Sequence, residues 1–339
     1  MERIRVGTRG SRLALTQTTA AAEAVAEAAG LEFELVTIKS EGDVLTGPLS
    51  QLGGTGVFAT ALRQALFDQR CDMAVHSLKD LPAKDLEGLS IAAIPVRAEV
   101  RDALCATDDL TLEELPEGAK VGTGSPRRGA QLLAARPDLE IVDIRGNVGT
   151  RLARVRGRED AAETSSQAPD AARGDLDAVV LAGAGLARLG LEEHISELLD
   201  PEVMLPAPGQ GAVAIEVRSE DAAASQPMGI GLAQVDDLET RLETTAERAL
   251  LARLNAGCAA PIGGLARCAE EPDGGVRLLL DTVVCAPDGS DAQRAGTEVH
   301  LEMGSDREAA IDRAAALGVE VAETLLAEDQ GLLAHVVDS

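Results

Sequence analysis

The hydrophobic pattern of this chain changes period repeatedly. Ile4–Thr8 alternates as a short strand, and Ser11–Ala29 carries apolar residues at helical spacing up to Gly30, a residue suited to a helix C-terminus. Leu31–Lys39 alternates again, Glu41–Gly56 is a Gly-rich loop, Phe58–Gln69 is helical, and Asp72–Ser77 is the apolar run of a buried strand. Such alternation predicts a mostly parallel sheet with helices on both faces. A second unit of the same kind follows, with strands at Lys120–Gly124, Leu139–Ile144 and Ala178–Ala182. Pro126 falls in the first turn of a helix there, where a missing N–H costs nothing. The stretch Arg156–Gly174 has no apolar period and reads as a surface insertion.

Leu205-Pro206-Ala207-Pro208-Gly209-Gln210-Gly211 reads as a hinge that returns the chain to the first unit through a strand at Ala212–Val217. Residues 219–230 read as a polar linker. A helix at Asp236–Asn255, three strand-like runs and a last helix from Asp306 then predict a separate α+β domain. The expected fold class is α/β, with domain 1 at 1–97 and 206–220, domain 2 at 98–205 including the insertion 156–174, and a smaller C-terminal domain 3 at 221–339. A length of 339 residues suits that division better than one core.

Composition narrows the class. No stretch of 18 apolar residues occurs and the N-terminus enters a strand at once, so a cytoplasmic protein without a membrane partner is expected. The cysteines at 71, 105, 258, 268 and 285 are scattered without C-x-x-C spacing, which predicts reduced thiols and no metal site. Cys71 and Cys105 lie in strand-like runs and read as small core residues. The net charge of −26 argues against nucleic-acid partners, because phosphate contacts need a basic face. Only four of the 31 basic residues are lysines: Lys39, Lys79, Lys84 and Lys120. This acidic, Lys-poor composition predicts a halophilic, salt-adapted protein whose fold and activity need high salt.

Five runs put Gly, Ser or Thr beside Arg or Lys at strand-to-helix junctions. They are Gly7-Thr8-Arg9-Gly10-Ser11, His76-Ser77-Leu78-Lys79-Asp80-Leu81-Pro82, Gly122-Thr123-Gly124-Ser125-Pro126-Arg127-Arg128, Ile144-Arg145-Gly146-Asn147-Val148-Gly149-Thr150-Arg151 and Ala184-Gly185-Leu186-Ala187-Arg188. Taken singly, each is a capped helix with a solvated arginine. Together, at the carboxyl edges of α/β sheets, they point to an anion site, since helix N-termini and arginine forks both favour anions. Phosphate and carboxylate are not distinguished this way, but no G-x-x-x-x-G-K-[ST] loop is present. Asp80 is a carboxylate among cations. Either it pairs with a neighbouring arginine, or it meets a cationic or N–H part of the ligand and moves protons. Cys258, in the Gly-bounded run Asn255-Ala256-Gly257-Cys258-Ala259-Ala260-Pro261, reads as a covalent anchor for something anionic.

Four of the chain's runs, Gly7–Leu15, His76–Pro82, Arg145–Leu152 and Pro206–Gly211, together resemble the hydroxymethylbilane synthase (porphobilinogen deaminase) family over nearly the whole length. The resemblance implies two periplasmic-binding-protein-like lobes with the cleft between them, and a third domain whose cysteine, here Cys258, holds a dipyrromethane cofactor through a thioether. It implies a monomeric transferase of heme biosynthesis that condenses four porphobilinogen molecules, with loss of ammonia, into hydroxymethylbilane. Asp80 then matches the catalytic aspartate. Ser77, Lys79, Asp80, Ser125, Arg127, Arg128 and Arg145 match cofactor-binding positions; Arg9, Ser11, Phe58, Arg145, Arg151 and Arg188 match substrate-binding ones. Phe58 reads equally as a core residue at a helix start, and His76 as a buried structural imidazole. Thr55 and Thr60 stand where many relatives have lysines. The competing readings are a non-catalytic, two-lobed organic-anion-binding protein and a phosphate-dependent α/β enzyme. The first leaves Asp80 and Cys258 unexplained, and the second lacks its loop.

Overall fold

The computed structural model describes residues 3–38, 57–158, 161, 173–257, 260–272, 274–302, 306–329 and 331–333, with backbone only at Val57 and Phe58. The expected loop Glu41–Gly56, Thr55, most of the insertion Arg156–Gly174, Cys258 and the Phe58 side chain lie outside them.

The first lobe is built from β1 (Arg3–Thr8), α1 (Arg12–Ala29), β2 (Glu32–Thr37), α2 (Val57–Phe67), β3 (Met73–Ser77) and β4 (Leu89–Ala93). Sequence explains the limits of α1. Ser11 accepts a hydrogen bond from the Ala14 N–H at its start, and Gly30, at φ 65°, closes its end with bonds to the Ala26 and Glu27 carbonyls. The second lobe holds β5 (Asp102–Ala106), β6 (Lys120–Gly122), α3 (Pro126–Ala135), β7 (Glu140–Val142), α4 (Val148–Leu152), β8 (Ala178–Ala182), α5 (Gly183–Leu189) and β9 (Glu197–Leu198). The chain then returns to the first lobe as β10 (Val213–Arg218) and α6 (Pro227–Val235).

The sheet orders are β2-β1-β3-β10-β4 and β7-β6-β8-β5-β9. Pairing in each is mixed rather than mostly parallel, for one reason. The strand that arrives from the other lobe, β10 or β5, runs antiparallel to both its neighbours. The strands wound within a lobe run parallel where they pair, β1 with β2 and β3, and β6 with β7 and β8. Their carboxyl ends therefore share one edge in each lobe, as an α/β ligand cleft requires.

The expected linker at 219–230 differs. Met228, Leu232 and Val235 of α6 pack with Val25, Met73 and Ile215 in the first lobe's core, so that lobe extends past 220 to about 235. The third domain follows, with α7 (Leu238–Arg253), an antiparallel sheet of β11 (Ile262–Glu270), β12 (Val276–Cys285) and β13 (Ala292–Leu301), and α8 (Arg307–Glu328). Leu250, Leu278, Leu280, Leu317 and Val321 fill its core.

Two stretches, 94–101 and 199–212, connect the lobes and touch each other where the Ala98 N–H donates to the Gly211 carbonyl at 3.3 Å. Gly211 has φ 87°, and a Cβ there would lie 2.6 Å from the Ala98 oxygen, so only glycine fits this approach. The third domain docks on the same place through the buried Glu247 of α7. Its carboxylate accepts a forked pair from Arg97 (2.8 and 2.9 Å), the Gly209 N–H at 2.5 Å and the Ala266 N–H at 2.8 Å. Removing Glu247 would leave the buried Arg97 guanidinium with Glu243 alone, at 3.2 Å, and the Gly209 and Ala266 N–H groups without their acceptor. Glu247→Ala should lower unfolding free energy by about 3–5 kcal/mol, read as a shift in denaturation midpoint. A shift of under about 1 kcal/mol, the range of exposed pairs, would show that water replaces the carboxylate.

Candidate active site

The expected site residues come from five strand ends that face each other across the lobes. Arg9 and Ser11 follow β1, and Ser11 serves as the cap of α1. Ser77 ends β3, and Lys79 and Asp80 form a single 3-10 turn after it. Ser125 caps α3 by accepting from the Arg128 N–H, Arg145 follows β7, Arg151 lies on α4 and Arg188 on α5. Two glutamines that sequence reasoning passed over join these groups. Gln17 of α1 bonds Ser77 at 3.2 Å and accepts from Arg188 of the opposite lobe at 3.2 Å. Arg188 also donates to the Gly211 carbonyl at 2.8 Å. The fully buried Gln210 accepts from Lys79 at 3.2 Å and donates to Asp102 at 2.9 Å.

Asp102 was missed as well, and it orders the centre. This buried carboxylate accepts from Arg128 through Nε and Nη2 at 2.9 and 2.7 Å and lies 2.8 Å from Arg127 Nη1. Burial would push its pKa up, but the two guanidinium groups outweigh that and hold it well below the usual carboxylate range. Arg127 also donates to the Leu205 carbonyl, and Arg128 to that of Val180. Both expected ligand-binding arginines are therefore largely turned inwards. The only sequence signal for Asp102 was an acid at the head of the apolar run Ala103–Ala106.

Towards the cleft the positive charge is not balanced. Lys79 is partly buried, and its pKa is lowered to about 8 by burial and then by Arg128. Arg151 is lowered to about 10 by burial, Arg128 and Arg145. Burial also lowers Arg188. Arg145 keeps Nε and Nη1 buried without a hydrogen-bond partner among the described residues, and its Nη2 stays 3.6 Å from Asp143. Buried guanidinium N–H groups without acceptors cost free energy. Carboxylates, acceptor-only groups with two oxygens each, are suited to supply what they lack. The residues present thus fit a polycarboxylate ligand. Among the described residues no cluster suits a metal ion.

His76 matches its expectation: it is buried, 3.2 Å from Glu216, whose carboxylate also takes a fork from Arg63 of α2. Thr60 lies on the exposed side of α2. Burial raises the thiols of Cys71 and Cys285 to about 11 and those of Cys105 and Cys268 to about 12, so these four stay protonated and unreactive at neutral pH.

Family comparison agrees with this geometry. The model of the porphobilinogen deaminase dipyromethane cofactor binding domain matches residues 4–226, and that of the porphobilinogen deaminase C-terminal domain matches 241–327. The chain belongs to the porphobilinogen deaminase family. A porphobilinogen deaminase of Micrococcus luteus is 54% identical, with 99% of this chain and 96% of that one covered. One of Cutibacterium acnes is 51% identical over 96% and 95%. Among solved structures, the methionine-binding protein MetQ overlaps with a TM-score of 0.40 at 14% identity, over 73% of this chain and 93% of that one. So slight an overlap carries no argument, and the two-lobed description rests on the sheets themselves.

The unbalanced charge has a measurable sign. A lysine with a lowered pKa is charged below that pKa and loses its proton as pH rises through it; an anionic ligand reverses the shift. With only four lysines in the chain, their side-chain NMR signals are separable. In the Cys258→Ser chain, one signal should titrate near pH 8, vanish in Lys79→Arg, and move to higher pH in the parent protein. A Lys79 midpoint that is the same in both proteins would contradict an anion held beside it.

Proposed function

We propose that the chain is a transferase that joins four porphobilinogen molecules head to tail, releasing ammonia, to give the linear tetrapyrrole hydroxymethylbilane on a dipyrromethane attached through Cys258. The observation that carries this reading is an excess of cations facing the cleft around one exposed carboxylate, Asp80. Each porphobilinogen brings an acetate and a propionate, and forked cations are the groups that receive them.

Lys79, Arg145, Ser77 and Ser125 hold the carboxylates of the primer. Arg127 and Arg128, tied to Asp102, supply positive field behind Lys79 and direct contacts through their remaining N–H groups. Arg9, Ser11, Arg151 and Arg188 take the arms of the incoming substrate, Arg145 serves both ligands, and we assign the pyrrole ring to Phe58 on the family resemblance alone. The chemistry supplied by the bound dipyrromethane is a pyrrole end for the first addition. Asp80 gives or takes the proton at the substrate's amine and pyrrole N–H, and its charge stabilises the cation that develops as ammonia leaves. Asp80 also separates this reading from a non-catalytic organic-anion binder, which has no use for an exposed carboxylate among its cations. The four other cysteines are held protonated, which supports Cys258 as the attachment point.

The same reading makes the protein a cytoplasmic monomer without nucleic-acid or membrane partners. Among the described residues no helix is long and apolar enough to cross a membrane. The net charge of −26 carries the salt-adapted part. The Debye length shrinks from about 10 Å at 0.1 M salt to about 3 Å at 1 M. Distant acids then stop repelling the substrate.

Three outcomes are expected. By intact mass the parent carries a dipyrromethane and colours with an aldehyde reagent for pyrroles, whereas Cys258→Ser has neither property; a coloured Cys258→Ser protein would refute the attachment. Asp80→Asn keeps the attached group but loses about 10²- to 10⁴-fold in condensation rate, and a loss below tenfold would remove Asp80 from proton transfer. KM for porphobilinogen falls between 0.1 and 1 M salt; a rise would end the salt-adapted reading and leave the chemistry standing.

A further inference from the structure

Asp80 is exposed and takes no hydrogen bond from a described side chain, so only its backbone is held in place before a ligand binds. On the N-terminal side that backbone is fixed by the first lobe. The Leu78 N–H donates to the Ala212 carbonyl at 3.0 Å, the Leu78 side chain is buried, and Lys79 bonds Gln210. On the C-terminal side the holder belongs to the third domain. Arg248 of α7 donates to three successive carbonyls, those of Leu81 (3.3 Å), Pro82 (2.9 Å) and Ala83 (3.2 Å). The Arg248 side chain is only 12% exposed, so these bonds form where water competes little. Ala83 packs against the third domain's core, as do Ala256 and Ala260, the residues two before and two after Cys258 in sequence.

A further bond lies one residue beyond Ala83. Lys84 Nζ donates to Asn255 Oδ1 at 3.3 Å. Asn255 ends α7 with φ 52°, and the Ala256 N–H reaches back to the Leu251 carbonyl while its own N–H reaches that of Ala252. This is the Schellman ending, in which glycine is the usual residue because it is free of strain at positive φ. Glycine would end the helix equally well but offers no side chain to Lys84.

We infer that Arg248, assisted by Asn255, is a positioning residue that locks the Asp80 segment to the helix leading into the Cys258 loop, so that the proton-transferring carboxylate and the primer's attachment share one frame. The inference rests on the roles proposed above for Asp80 and Cys258. It supplies a reason for the third domain to touch the catalytic turn at all: each added pyrrole shifts the growing chain, and the carboxylate keeps its place relative to the anchor. Arg248 acts through the backbone of the Asp80 segment and is not among the residues assigned to ligand binding, so its loss should act on the transition state and lower kcat and kcat/KM together.

The test uses full-length, primer-loaded protein, with rates expressed per loaded chain as counted by intact mass. Arg248→Gln should load the primer and lose about 10- to 100-fold in kcat, the scale of a misplacement near 1 Å. Its KM should change less than about threefold. Arg248→Lys, whose ammonium can donate to the same carbonyls, should recover most of the rate. Asn255→Gly, which keeps the helix ending, should fold as the parent does and lose about twofold to tenfold in kcat. The proposal is overturned if both Arg248→Gln and Asn255→Gly turn over within twofold of the parent per loaded chain, or if Arg248→Gln only lowers the melting temperature. Should Arg248→Gln not fold, Asn255→Gly decides alone. A parent chain without attached pyrrole, or an Asp80→Asn protein at full rate, would instead sink the underlying functional reading.

Discussion

One buried carboxylate makes this cleft possible. Asp102 has no access to water; it accepts hydrogen bonds from Arg128 and Gln210 and is ion-paired with Arg127. Two guanidinium groups on adjacent residues of one helix turn repel each other, and without a counter-charge their burial would be prohibitive. One carboxylate neutralises one of them. The remaining charge matters as well: after the larger effect of burial, it lowers Lys79 further, and with Arg145 it lowers Arg151 further. The site is thus assembled in a state of electrostatic need, with the fold's own stability set against the affinity of a polyanion. The buried, unpartnered Nε and Nη1 of Arg145 are the same need seen as geometry.

The hinge carries that arrangement between domains. Gln210 stands between two glycines at positive φ, Gly209 and Gly211, each needed because another backbone passes within about 3 Å of where a Cβ would be. Its side chain joins Lys79 of one lobe to Asp102 of the other, and its carbonyl accepts from Arg97, the partner of Glu247 in the third domain. A short Pro/Gly run is therefore both the connection between lobes and the junction of the charge networks of all three domains. Substitutions there act on stability and on the site at once, whereas the exposed ion pairs elsewhere on this acidic surface contribute little each.

Much of this was legible in the sequence. Period changes located β1, α1, β3 and the third domain's elements, and Pro126 marked the start of α3. The strand-to-helix junctions gathered the cations, since the carboxyl ends of co-directional strands share an edge. What stayed hidden depends on contacts far apart in sequence. The α6 helix, Pro-Met-Gly-Ile-Gly-Leu-Ala-Gln-Val, is short and Gly-rich; only packing against α1 makes it helical. The pairing of β10 and β5 against their neighbours follows from the lobes exchanging a strand, which no local period records. Asp102, Gln17, Gln210 and Arg248 are single polar residues in unremarkable settings, and their roles come from partners far off in sequence, up to 171 positions away.

The position of Asp80 itself follows from the same physics. A buried catalytic carboxylate in this field would pair with the nearest guanidinium, as Asp102 does, with its lone pairs occupied. Asp80 avoids that pairing by standing on an exposed 3-10 turn, where no described group claims its oxygens. The fold thus uses two acids of the same type in opposite ways. One is enclosed to hold the cations still. The other is left open, with its backbone clamped on both sides, so that a ligand entering the cleft is the first partner it meets.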